Sequence, residues 1–430
     1  MPIFDRSHTD DLLSYLAASP TPYHAVANGA ARLAAAGFHQ AHQSQPWDGA
    51  AGGYYVIRGG ALIAWYIPEG APTHAGFRII GAHTDSPNLR VKPRPDTGSA
   101  GWRQVAVELY GGPLNNSWLD RDLGLAGRIV LRNGDATLVH INRPLLRVPQ
   151  LAPHMDRAVN ETGLLLDKQV HMTPIWGVGP IEEGALIEFV AQEAGVSAGD
   201  ILGWDLMTHD VQPPAYLGRD NELIAGPRMD NLVSVHAGIQ ALVAAVRDGL
   251  TPDSPIPVLA AFDHEETGSE SDTGAGGPLL RNVLSRSVVS ARGGSPEDYA
   301  RAMAATVCLS ADMSHAVHPN YPEKAEPGHR PQPNGGPSLK VNVNQRYATD
   351  GLGRAIWADV CERAEIPTQY FVAKNSVPCG TTIGPITAAN LGVTTIDVGI
   401  PALSMHSARE LAGADDPYLL ASAAAAFFTG

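Results

Sequence analysis

Four short polar clusters carry side chains suited to metal and proton chemistry: His83-Thr84-Asp85, Met229-Asp230-Asn231, His264-Glu265-Glu266 and Asp312-Met313-Ser314-His315. His406 follows near the C-terminus. Two ions of the zinc class need imidazole and carboxylate donors, and at a spacing of ~3.5–4 Å they need one carboxylate to bridge them. The clusters supply both donor types without cysteine. Glu265 and Glu266 stand directly after an apolar run. Adjacent carboxylates in such a place repel and lose solvation unless a cation or a shared proton relieves them. Each cluster alone also has an ordinary structural explanation. Taken alone, His83 reads as a satisfied strand-end histidine and His406 as a core histidine, while the glutamate pair could be a solvated loop, and Asp312 and His315 a helix cap with a surface histidine. Their order, His, Asp, Glu-Glu, Asp, His, each at the end of an element, is what converges on a metal site. The helical zinc motif His-Glu-x-x-His is not met, because position 268 is Gly and the run before His264 is strand-like.

The elements that must position these groups follow from periodicity. Asp10 to Phe38 has helical spacing, broken at Ser19-Pro20-Thr21-Pro22. Gly53 to Ile67 alternates as two strands joined at Gly59-Gly60, and Phe77 to Ala82 is a buried strand running into His83. Pro257 to Phe262 ends at Asp263-His264-Glu265-Glu266, Ala305 to Leu309 at Ser310-Ala311-Asp312, and Thr394 to Val398 leads towards His406. Ligands in an open α/β sheet gather outside the carboxyl ends of the strands, so this arrangement brings the polar groups to one rim. Asn231 to Arg247 and Pro417 to Phe428 read as helices. Arg281 to Tyr299 and Pro322 to Gly336 read as long loops. Between Val91 and Ile224 the texture changes: Val105–Tyr110, Gly127–Arg132 and Thr137–Ile141 alternate at period two, and Asn133-Gly134 is a hairpin signal. The reading is a β-rich domain at 91–224 inserted into a catalytic domain at 1–90 and 225–430.

A chain of 430 residues is too long for one ordinary core, in keeping with that division. A formal charge of −14 argues against a nucleic-acid partner, where a basic footprint is expected. No apolar run approaches the ~18 residues of a membrane span, and the acidic stretch Met1–Asp11 lacks the pattern of a signal peptide. Cys308, Cys361 and Cys379 are few, scattered and odd in number, which reads as reduced thiols in the cytoplasm.

At these residues the sequence resembles the aspartyl aminopeptidase family of cytosolic metallopeptidases, over nearly the whole chain. The resemblance rests on Gly81-Ala82-His83-Thr84-Asp85-Ser86-Pro87, Trp118-Leu119-Asp120-Arg121-Asp122, Asp263-His264-Glu265-Glu266-Thr267-Gly268-Ser269, Asp312-Met313-Ser314-His315-Ala316-Val317-His318-Pro319-Asn320-Tyr321 and Gln345-Arg346-Tyr347-Ala348-Thr349. It implies an α/β fold, with a three-layer mixed-sheet metallopeptidase domain carrying the insert as a dimerisation domain. It also implies a dodecameric homo-oligomer built from dimers, acting on peptide substrates. Asp230 would bridge two divalent ions, zinc first and cobalt or manganese as alternatives, because such donor sets do not select sharply among them. His83 and Asp312 would complete one ion's ligands, and Glu266 with His406 the other's. Glu265 would be the general base, and Asp85 would orient His83. His315, Lys340 and Tyr347 match positions that contact substrate. Lys340, on the strand-like run Ser338 to Val343, also reads as an exposed edge lysine; if it points into the pocket, it would pair with the carboxylate of an N-terminal Asp or Glu. His154 matches a histidine that reaches a neighbouring subunit's site, whereas a second family histidine is here Gln150. The Asp230–Asn231 peptide bond is expected to be cis. Rival readings stay open: an aminopeptidase of the same fold preferring neutral N-terminal residues, a two-metal carboxypeptidase or deacylase, a scaffold with a structural metal, and a small-molecule binding module.

Overall fold

The structure, a computed structural model, describes residues 6–430. Its centre is a nine-stranded mixed sheet. Four neighbouring strands in its middle, Ile256–Phe262, Phe77–His83, Val307–Ala311 and Thr394–Gly399, run parallel in that spatial order. Strand Ala61–Ile67 continues the sheet antiparallel on one side and Ser338–Val341 on the other. The expected α/β class is thus observed.

Period-two alternation along these strands separates two hydrophobic cores. Ile80, Leu259, Ala261, Leu309 and Val398 face one side of the sheet. There they meet Leu12 and Leu16 of helix Ser7–Ala18, Leu33 of Pro22–Ala35, Ile239 of Met229–Asp248, Trp357 of Gly351–Arg363 and Phe427 of Asp416–Phe428. Their neighbours Ile79, Val258, Ala260, Phe262 and Cys308 face the opposite side, against Leu280 and Val283 of Leu279–Ser285 and Ile383 of Ile383–Leu391. Successive strand residues point to opposite faces, so a strand covered on both sides is apolar throughout. Every residue of Ile256–Phe262 is buried. Helix Met229–Asp248 is long and apolar enough by length and composition to cross a bilayer, yet 78% of its most apolar window is buried inside the fold.

One expectation fails. The segment Arg281 to Tyr299 is not a loop but largely helical, with α-helices Leu279–Ser285 and Pro296–Ala304 separated by a π-helical turn at Arg286–Ser290. Leu279, Leu280, Val283, Leu284 and Val288 bury one face of it, and the Ser295 side chain and the Asp298 carboxylate form a reciprocal capping box at the second helix. The Gly293-Gly294 punctuation obscured two short helices too brief to show a clear period.

A six-stranded sheet, ordered Ala136–Leu146, Leu123–Leu131, Ile201–Asp210, Asn88–Ser99, Trp102–Tyr110, Ile175–Val178, lies between the first and last halves of the central sheet in sequence. Its own core holds Leu89, Leu125, Ile129, Ile141 and Leu206, covered by Leu186 and Val190 of helix Ala185–Ala194. Strand Ala215–Leu217 pairs instead with Leu223–Gly226, and Leu223–Gly226 with Glu410–Gly413, in a third, five-stranded sheet.

Three histidines meet where the six-stranded sheet touches the helical layer. The His24 and His140 ring centroids are 5.5 Å apart, and those of His140 and His209 5.1 Å. Burial, then neighbouring positive charge from Arg228 and His140, pulls His209 down to about 3; burial and His140 pull His24 down to about 4. A histidine whose folded pKa lies below its unfolded value favours the neutral form in the fold. Its stabilising contribution is present above about pH 6.5 and is lost as pH falls towards the folded value. The unfolding midpoint is therefore expected to drop as pH falls from 7 to 4.5, with His24 contributing on the order of 2 kcal/mol. Replacing His24 by Gln should flatten that part of the pH profile; an unchanged profile would show that the contact carries no acid sensitivity.

Candidate metal centre

The rim at the carboxyl ends of the four parallel strands collects the expected groups. His83 ends its strand, paired in register with Phe262, after which the chain turns at His264 into Glu265 and Glu266. Asp312 follows the strand Val307–Ala311, and not a helix cap, because Ser314–His315 goes on to pair with Pro401–Leu403. Asp230 opens the long buried helix with non-helical φ/ψ, and its peptide bond to Asn231 is cis, as expected. His406 sits at φ +65° beyond the strand Pro401–Leu403.

The two imidazoles are held the same way. His83 Nδ1 lies 3.0 Å from the Asp85 carbonyl oxygen, and His406 Nδ1 lies 2.9 Å from that of Gly112. A carbonyl oxygen only accepts, so each Nδ1 donates its proton and each Nε2 is turned inward. His83 Nε2 stands 3.3 Å from Asp230 Oδ1 and 3.5 Å from Asp312 Oδ1. His406 Nε2 stands 3.4 Å from Asp230 Oδ2 and 3.3 Å from Glu266 Oε2. The two oxygens of Asp230 therefore face two different donor groups, His83–Asp230–Asp312 and Asp230–Glu266–His406, each with its atoms within 4.8 Å of one another.

The donor set fits divalent cations. Asp230 Oδ1 and Glu266 Oε1 are buried without a hydrogen-bond partner, a costly arrangement for carboxylates unless a cation sits between them. Burial, then repulsion from Asp230, pushes the Glu266 carboxyl well above its usual range, and burial pushes Glu265 up to about 8. Burial opposes the charge of the His83 imidazole, yet the carboxylates of Asp230, Asp312 and Asp85, with Glu265 nearby, hold it far above its ordinary pKa. Protein groups alone thus leave the pocket short of positive charge. Imidazole nitrogen and carboxylate oxygen donors of this kind suit zinc.

Behind the donors lies a rigid support. Asp85 is fully buried and accepts from Tyr110 Oη at 2.8 Å, from the Glu265 backbone N–H at 3.0 Å and from that of Glu266 at 3.1 Å. Ser86 Oγ donates to the Asp230 carbonyl at 2.6 Å, and Asn231 Nδ2 to that of Ala311 at 2.8 Å. Lys340 is 2% exposed, with Nζ 3.8 Å from Asp312 Oδ2 and 5.4 Å from the Tyr347 ring centroid. It is not an exposed edge lysine. Glu265, His315, Lys340 and Tyr347 line one chamber with the metal-donor residues, about 480 Å³ in volume. His154 does not line it and is exposed on the segment after the six-stranded sheet's strand Ala136–Leu146.

Sequence reasoning missed Glu410. Its carboxylate is buried and accepts from the Asp230 N–H at 3.0 Å and from the His406 N–H at 3.0 Å, tying together the backbones of the bridging carboxylate and one imidazole. Nothing in Ser407-Ala408-Arg409-Glu410 announces this, because the partner at 230 is distant in sequence. Glu410→Gln keeps the shape but turns an N–H₂ towards one of the two donors. We expect it to weaken zinc binding by ~10–100-fold in competition with a chelator and to change the visible spectrum of the cobalt-loaded protein. A lowered thermal midpoint with unchanged zinc affinity would mark Glu410 as part of the core only.

The comparisons with known proteins agree with this geometry. The family model described as Peptidase_M18, aminopeptidase I zinc metalloprotease, matches residues 15–428. The chain is 68% identical over 426 residues to the probable M18 family aminopeptidase 2 of Streptomyces coelicolor, covering 99% of this chain and 98% of that protein. Among solved structures, it superimposes on a chain of the Ape4 and Nbr1 complex with a TM-score of 0.95 at 35% identity, covering 99% of this chain and 86% of that one. It also matches the S. cerevisiae mApe1 dodecamer structure with a TM-score of 0.86 at 31% identity, covering 98% and 96%. Imidazoles and carboxylates gathered at the rim of an α/β sheet, and a match running almost end to end, lead to one conclusion: the chain belongs to the M18 family of metallo-aminopeptidases.

Proposed function

We propose that this aminopeptidase removes N-terminal Asp or Glu from peptides at a two-ion centre bridged by Asp230. The observation that carries the reading is the divergence of the Asp230 oxygens towards two separate donor groups. His83 and Asp312 would hold one ion, and Glu266 and His406 the other. When bound, such ions lower the pKa of water towards ~7 and polarise the scissile carbonyl.

The remaining steps belong to the chain's own residues. Glu265 reaches into the chamber beside the donor groups and takes the proton from the attacking water, then returns it to the leaving amine. A carboxylate pushed up to about 8 by burial holds a proton readily, and positive charge held by the neighbouring donor residues would favour its basic form. His315 donates an imidazole N–H to the developing oxyanion. Asp85 fixes the loop that carries Glu265 and Glu266 through its two backbone hydrogen bonds. Lys340 supplies a buried cation for an acidic side chain at the substrate's first residue, with Tyr347 beside it.

The reading extends to assembly. The segment around His154 carries apolar side chains in the open, among them Met155 at 76%, Leu165 at 91% and Val170 at 67% exposure. Patches of that kind mark association surfaces. A homo-oligomer, a dodecamer as in the similar mApe1 structure, would cover them and carry His154 to a neighbouring chamber. Three unpaired thiols agree with a cytoplasmic setting.

Two substitutions test the chemistry. Glu265→Gln should lower kcat by ~10²–10⁴-fold at unchanged metal content; wild-type turnover in that variant would remove Glu265 from the base role. Lys340→Met should cut kcat/KM on Asp and Glu substrates far more than on Leu substrates, and equal losses would refute the acidic preference.

A further inference from the structure

A second cavity of about 310 Å³ adjoins the catalytic chamber, and none of the steps above uses it. The two spaces share His315, Tyr347 and Gly380 as walls. Beyond that partition Val317, Phe371, Val377 and Leu403 form an apolar wall, with Lys324, Glu326, His329 and Lys374 also bordering the cavity. The Phe371 ring stands 5.7 Å from His315 and 6.1 Å from Tyr347, centroid to centroid, so the apolar wall begins where the catalytic imidazole ends. Phe371 is also the registered partner of Lys340 on the adjacent strand. The cation that faces the chamber and the aromatic ring that faces the cavity are thus direct neighbours across one strand pair.

We propose that this cavity receives the side chain of the second substrate residue, the one released with the new amino terminus, and selects apolar or aromatic groups there. The inference rests on the aminopeptidase reading of the chamber. An exopeptidase holds its first residue on the closed side of the scissile carbonyl, here among Glu265, Glu266 and Lys340. His315 marks the carbonyl itself. The peptide must then leave on the far side of His315, and the space that opens there is this cavity. Its volume sits at the lower end of ~300–1,000 Å³ for sites that enclose small organic groups. Its lining offers an apolar side chain the same gain from leaving water that a protein core does. The substrates favoured are peptides that begin with an acidic residue followed by Leu, Phe or a similar group.

The test is a series of tripeptides Asp-X-Ala, with X as Gly, Ala, Leu or Phe, and a parallel series that varies the first residue ahead of Phe-Ala. Release of the first residue is measured with the metal-loaded, assembled protein. Wild type should favour Leu and Phe over Gly at X by ~10–100-fold, the range that burying one such side chain allows. Phe371→Ala and Val377→Lys should each shrink that ratio by ~10-fold while leaving the ratio of Asp to Leu at the first position in place. Val377 lies on a loop and is 36% exposed, so its variant reports even where loss of the Phe371 ring disturbs folding. A flat profile at X, or variants that shift first-position choice instead, overturns the subsite while leaving the aminopeptidase standing. If the wild type releases no first residue from any peptide, the underlying reading fails and the subsite with it.

Discussion

Asp230 is buried and turns one oxygen towards His83 and the other towards His406. Four carboxylates line the same chamber, those of Asp230, Glu265, Glu266 and Asp312, with Asp85 directly behind. Concentrated negative charge out of water is strongly unfavourable unless positive charge is placed within a few ångströms. Most of the local architecture answers that demand. The imidazoles are locked by backbone carbonyls so that Nε2 faces inward, and Lys340 is drawn almost completely out of solvent beside Asp312.

The scaffold makes this concentration affordable by distributing its supports over unrelated elements. Hydrophobic burial on both sides of the parallel strands fixes where the strands end, and therefore where His83, Glu266 and Asp312 stand. The long buried helix fixes Asp230 from beneath. Tyr110 at the end of a strand of the six-stranded sheet, and Gly112 just after it, hold Asp85 and His406. The six-stranded sheet is thereby tied to the site within one chain, whatever it contributes between chains. Glu410, from the third sheet, holds the backbones of Asp230 and His406 together. All three sheets meet at the metal centre, which couples the precision of the site to the packing of the whole molecule.

In the proposed reading, substrate choice would be organised along one pair of strands. Ser338–Val341 and Gln369–Val372 are paired in parallel register, with Lys340 opposite Phe371. This charged and this apolar side chain, side by side, would in that reading divide the peptide at its scissile bond. On the same proposal, the first residue would be judged by electrostatics in a confined chamber, and the second by removal of apolar surface from water.

Much of the fold was legible in the residue order. Apolar strands that end in polar clusters predicted both the α/β class and the rim on which the donors gather, because side-chain periodicity and strand length are local properties. The break at Ser19-Pro20-Thr21-Pro22 and the turn at Gly59-Gly60 were equally local, and both stand where expected. Arg281–Tyr299 was misread because two short helices separated by Gly293-Gly294 hide their period; burial against the sheet is what makes them helical. The residue types at His83, Asp230, Glu265, Glu266, Asp312 and His406 named the chemistry, and family resemblance supplied separate roles. What residue order could not determine is which distant groups touch. Glu410 meets Asp230, Tyr110 meets Asp85, and Lys340 is buried instead of lying on an exposed edge. Those facts depend on three-dimensional packing between segments 25 to 180 residues apart, and only the tertiary structure decides them.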